Sequence, residues 1–235
     1  MKRLVLAVLL SGSTLAFAQT CERPKDSSPS GVAAQSDEAR LAFLSKLLLE
    51  ESHRAYAWRL GWGATYSVLT IAQLGVMQLF TQEEQPDWYW GALSTAVGVA
   101  FTLLDPPEVL EGGPVYAQKA KVVPEVERCK LIAEGERMLE QGAAHEQDSV
   151  AWYIHAGNIL FNVGLGLVLG LGYQRWTSGL INMGVGSAIG EATMFTSPTH
   201  LIGGWKQYRH GESPPKVTFH VIPTAGPGVG VLLTF

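Results

Sequence analysis

The sequence predicts an all-α membrane protein of four transmembrane helices, paired as two helical hairpins, with amphipathic helices and a C-terminal β-hairpin. Three observations carry that expectation. Apolar runs at 57–80, 88–104, 150–173 and 177–195 form two pairs, each joined by a short polar turn. A bilayer span needs about 20 residues, which these runs approach or exceed. Only 16% of residues are charged and Gly reaches 26, against about 25% charged in ordinary soluble domains. Low charge with abundant Gly suits closely packed membrane helices.

Residues 1–18 read as a signal peptide: Lys2-Arg3, an apolar core from Leu4 to Leu10, and Ala16-Phe17-Ala18 before the cleavage point. Cys21 follows Ala18-Gln19-Thr20, which lacks the small residues of a lipidation motif. Residues 19–36 are polar and rich in Ser and Pro, a flexible leader. Residues 37–104 hold an amphipathic helix and the first hairpin. Ser36-Asp37-Glu38 opens the helix, and Leu41, Phe43, Leu44, Leu47 and Leu48 form its broad apolar face. Arg59 is the one charge of the first apolar run, and Trp88-Tyr89-Trp90 opens the second as an interfacial belt.

Asp105-Pro106-Pro107 closes that run, and 105–123 reads as a Gly- and Pro-rich connector. Residues 124–198 repeat the plan: an amphipathic helix with Val126, Leu131, Ile132, Met138 and Leu139, then the second hairpin about Gln174-Arg175-Trp176. The tail, 199–235, is polar and ends in alternating residues on either side of a 223–228 turn, a β-hairpin pattern. Ala57-Trp58 with Gly63 recurs as Ala151-Trp152 with Gly157, so the halves read either as a parallel repeat or as chance likeness of small residues.

An outer-membrane β-barrel is the alternative fold, because Trp58 to Val68 alternates as a lipid-facing strand does. Each apolar run is about twice the length of a barrel strand, and Leu69 to Leu79 offers no turn, so helices are favoured. Topology raises a conflict. An exported N-terminus puts 14 of the 15 Lys and Arg residues after position 18 outside, leaving Arg175 within, the reverse of the positive-inside rule. Inner and outer membrane both stay open.

A net charge of −4 gives no basic field for nucleic acid. G-x-S-x-G, H-E-x-x-H, C-x-x-C and P-loop patterns are absent, so no catalytic residue, metal or cofactor is expected. His145-Glu146 continues at helical spacing into Ser149 and Val150, which are not zinc ligands. His155, Asn158 and Asn162 stand at i, i+3 and i+7 on one helix face, Glu191 lies deep in the fourth run, and Gln73 adds polarity to the first. Such groups make either a relay or polar pocket, or plain interhelical hydrogen bonds of about 1 kcal/mol each. His155 is the natural partner of Glu191. Cys21 and Cys129 are expected on one side of the membrane, either as a disulfide or as two thiols. The expected function is a non-enzymatic integral component of the bacterial envelope, contacting membrane lipid and protein partners. The alternative is a small transporter, channel or lipid-binding protein.

Overall fold

The computed structural model describes residues 20–104 and 106–212, with the backbone of 218–223 and 229–234. The expected signal peptide, 1–18, lies outside the described residues, as does the 224–228 turn. The described chain is a helical bundle: α1 Asp37–Met77, α2 Gln85–Leu104, α3 Val109–Val122, α4 Arg128–Ser149, α5 Trp152–Leu167, α6 Trp176–Phe195 and α7 His200–His210. α5 runs on through a π-helical turn, Val168–Gly172. The strands β1, Thr218–Pro223, and β2, Val229–Thr234, pair antiparallel.

The four-span expectation is corrected. Among the described residues one helical stretch, Trp152–Gly172, is long and apolar enough to cross a membrane. The others fall short for a compositional reason. α1 carries Arg59 with Thr65, Ser67, Thr70 and Gln73, α2 opens on Gln85-Pro86-Asp87, and α6 contains Asn182, Ser187 and Glu191. The four-span membrane architecture with a β-hairpin therefore gives way to a helical bundle with one candidate span. The barrel alternative falls as well, since the alternating Trp58–Val68 segment lies within α1.

α1 has 41 residues, and at 1.5 Å per residue it is about 60 Å long. It starts on Ser36, whose hydroxyl accepts the Ala39 N–H, with Asp37 and Glu38 in its first turn. Its first half joins α3, α4 and α7 in a polar end built on Leu44, Leu48, Val109, Tyr116, Ile132, Leu139, Leu201 and Tyr208. Its second half joins α2, α5 and α6 in an apolar end. The two halves of the chain share one succession of elements. A polar-then-apolar rod is continuous in α1 and broken at Ala151 between α4 and α5. A 20-residue helix follows, then a short amphipathic one.

α3 and α7 are the elements that sequence patterning assigns to connector and tail. α3 carries Pro114 in its interior, where proline cannot donate to the carbonyl four residues back. That carbonyl, Leu110 C=O, instead accepts from the buried Ser52 hydroxyl of α1 at 2.8 Å. Gly113 lets α3 lie directly on α1, since a Cβ there would stand 2.4 Å from Leu48 O. α7 presents Leu201, Gly204 and Tyr208 to the core and stops at Gly211, whose φ of 75° is the left-handed cap glycine favours.

In the apolar end, α5 and α6 touch backbone to backbone. A Cβ on Gly179 would meet Gly166 O at 2.5 Å, while one on Gly184, in the same helix, meets nothing within 4 Å. Gly179→Ala is therefore expected to destabilise the bundle by about 1–3 kcal/mol, and Gly184→Ala to leave it unchanged or stabilise it by up to about 1 kcal/mol. Thermal unfolding in detergent checks the pair, and equal melting shifts would contradict the packing.

Candidate functional site

α5 places His155, Asn158 and Asn162 on one face, and α6 meets that face with Gly186, Gly190 and Glu191. The glycines are a matter of space. A Cβ at either would stand 2.1 Å from an asparagine Oδ1. His155 Nδ1 lies 2.5 Å from Glu191 Oε2. Asn158 Nδ2 donates to Glu191 Oε1 at 3.0 Å and to Ser187 O at 3.1 Å. Asn162 Nδ2 donates to Asn158 O and Oδ1, and its own Oδ1 accepts from Ser94 of α2 at 3.1 Å. Four of the residues singled out from the sequence thus form one ladder.

Gln73 stands apart from it. Its Nε2 donates to Leu69 O and to Thr95 Oγ1, within a separate α1–α2 set that includes a 2.8 Å Thr70–Thr95 hydroxyl pair. Between the two sets lies a cavity of about 290 Å³ whose lining includes Tyr66, Thr95, Phe101, Asn158, Asn162 and Thr193. Along its wall the Tyr66 and Thr193 hydroxyls share a 2.7 Å hydrogen bond. Both oxygens of Glu191 are engaged, so the ladder holds α5 to α6 as it stands. At the far end, Arg175 grips Asp87 with Nε and Nη2 at 2.7 and 2.6 Å, joining the start of α2 to the residue that precedes α6.

Cys21 and Cys129 are joined in a disulfide, which fastens the leader to the start of α4. The Cys21 N–H donates to Asp37 at 3.1 Å.

A second constellation is not apparent from sequence patterning. Glu51 of α1 is 1% exposed, and among the described residues neither carboxylate oxygen has a hydrogen-bond partner. Arg54 Nη1 at 3.6 Å forms an ion pair with Glu51 Oε2, and His200 Nδ1 lies 3.4 Å from the same oxygen, neither contact meeting hydrogen-bond geometry. Glu146 of α4 is buried beside it, and its Oε2 accepts the Ile202 N–H at 3.1 Å. Both acids line a cavity of about 630 Å³ where the polar and apolar ends meet. A signal existed. Glu51 continues the Leu44–Leu48 stripe and Glu146 the Leu139–Ala143 stripe, so each acid occupies a core position of its helix.

Comparison with protein-family models, with curated proteins and with solved structures found no match. What the site can do therefore follows from its own chemistry.

Burial pushes Glu146 up to about 8, and the Glu51 carboxylate beside it adds to the rise. Burial raises Glu51 also, against the pull of Arg54, and burial together with Arg54 lowers His200. A carboxyl raised in the folded state binds its proton more tightly there than in the unfolded chain. Unfolding then releases protons, and stability falls as pH rises. The stabilisation is complete below 4.5 and is lost progressively up to about 8. Melting temperature against pH should slope downward through that window, and Glu146→Gln should flatten the slope. A wild-type profile that rises there would contradict the burial of the pair.

Proposed function

We propose that the protein is a non-enzymatic, membrane-embedded component of the bacterial cell envelope that offers its polar helical end to protein partners. One observation carries this reading: the apolar end is built inside out. Leu60, Val68, Ile71, Leu160, Leu180 and Ile181 are more than half exposed, while Thr95, Asn162 and Thr193 are buried. In water, contiguous apolar patches beyond a few hundred Å² are rare on monomers, because each Å² of apolar area left wet costs about 25 cal/mol. In lipid the same arrangement is favourable, since outward side chains meet acyl chains and polar groups must find partners within the bundle. The outward faces of α1, α2 and α6 meet lipid in this reading without each helix being a span.

Lipid or apolar-ligand binding is the second reading, supported by the polar-floored cavity of about 290 Å³ beside Asn158 and Asn162. Membrane fractionation of bacteria expressing the full chain tests the first. The protein should stay with membranes through alkaline carbonate and leave them only with detergent. Recovery in the soluble fraction would overturn the proposal.

A further inference from the structure

The geometry points to the Glu51–Glu146 cavity as a binding site for a primary ammonium head carried on an apolar chain. Two carboxyls stand side by side where a helical core would ordinarily hold leucines, and Glu51 lines the cavity with neither oxygen hydrogen-bonded among the described residues. Arg54 and His200 both lie against Oε2 and leave Oε1 free of either. A buried carboxylate without hydrogen bonds is costly, and a ligand with several N–H donors is what would satisfy it. An ammonium group offers three donors and one positive charge.

The walls determine the rest of the ligand. Beyond the acids the cavity is lined by Ala55, Val97, Ala100, Phe101 and Ile154, which suit a hydrocarbon chain. They do not suit calcium or magnesium, which take six or more oxygen ligands. The charged neighbours fit the same orientation. Arg54 approaches Glu51 from outside and also lies 3.9 Å from Glu50, and His200 approaches from α7. Arg59, His145 and Asp148 also line the cavity. Arg59 is already committed to Leu103 O at 2.9 Å. The cavity therefore binds head-inward, chain toward the apolar end. Its volume, about 630 Å³, lies in the range of ordinary small-molecule pockets, about 300–1,000 Å³.

The site stands on its own geometry, and only entry of the ligand from the bilayer rests on the membrane reading above. The test uses the full chain in a neutral maltoside detergent, titrated with dodecylamine and with dodecanol and read by native mass spectrometry. Dodecylamine should be retained about tenfold or more tightly than dodecanol, the worth of one charge-assisted hydrogen bond. Glu51→Gln should abolish that preference. Ala100→Phe, which fills the cavity and leaves both acids in place, should abolish binding of the amine. Ala100→Phe alone carries the test if Glu51→Gln does not fold.

Parallel titration with phosphatidylethanolamine and phosphatidylglycerol separates the sources. Selective retention of the ethanolamine lipid assigns a headgroup, and retention of dodecylamine alone assigns a free amine. Equal binding of amine and alcohol by the wild type, or an undiminished preference in Glu51→Gln, overturns the proposal. Should the protein purify without detergent, the membrane reading fails separately, and hexylamine should then be preferred over hexanol in buffer if the site is as proposed.

Discussion

Replacing Cys129 by Ala in the full chain is expected to lower the unfolding free energy by about 4–5 kcal/mol. The bond joins residues 108 apart in sequence. Opening so long a loop returns to the unfolded chain the closure entropy that the cross-link removed. The native state loses something as well. Cys21 C=O and Glu22 C=O accept from Arg40 at 3.2 and 2.7 Å, and the bond holds that stretch of leader over the guanidinium. Denaturant titration with and without reductant should show the reduced wild type matching the Cys21→Ala/Cys129→Ala double variant. A loss below about 1 kcal/mol would mean that the leader is held by other contacts.

Arg40→Met is expected to cost about 3–5 kcal/mol, because it removes a fully buried cation and strands the partly buried Glu136. Arg40 is 0% exposed and its guanidinium makes five hydrogen bonds. Two are to the leader carbonyls, and the others go to Tyr208 Oη at 3.1 Å, Asp37 at 2.9 Å and Glu136 at 2.6 Å. Tyr208 also donates to Glu136, so three helices and the leader meet at this one cation. If the loss comes from an isolated charge and not from packing, Arg40→Met/Glu136→Leu should be less damaged than Arg40→Met alone. Urea midpoints of the two variants decide it. Because Arg40 and the disulfide share Cys21, their losses should not add.

The large apolar helices were legible from hydropathy, and so were the amphipathic starts of α1 and α4, because long periodic runs state their own period. Length and apolarity do not by themselves make a span. α6 is as long as a span, yet Asn182, Ser187 and Glu191 mark it as a helix whose inner face is polar. α3 and α7 went unseen because Gly112-Gly113-Pro114 and Gly203-Gly204 resemble loops. Their tolerance depends on tertiary contact: Ser52 serves the carbonyl that Pro114 leaves, and Leu47 fills the space over Gly204.

The His155–Asn158–Asn162–Glu191 ladder could be found from spacing, since one helix face and one opposing acid suffice. The Glu51–Glu146 pair could not be found that way. Each acid lies among other charges in its own helix, Glu50 and Arg54 around one and His145 and Asp148 near the other. The buried stripes place each acid on the core face of its own helix, but only the packing of α1 on α4 brings the two together.

The central claim is that the apolar end meets lipid while its polar groups face one another. Nitroxide spin labels on single introduced cysteines, in protein reconstituted in bilayers, test it most directly. The native cysteines are bonded to each other and stay unlabelled. Ile71 and Leu160 are each 70% exposed at the apolar end, and Val126 is 89% exposed at the polar end. The account predicts that labels at Ile71 and Leu160 collide freely with oxygen and hardly at all with a water-soluble nickel chelate, with the reverse at Val126. Free collision of the chelate with labels at Ile71 and Leu160 would place that surface in water and contradict the account.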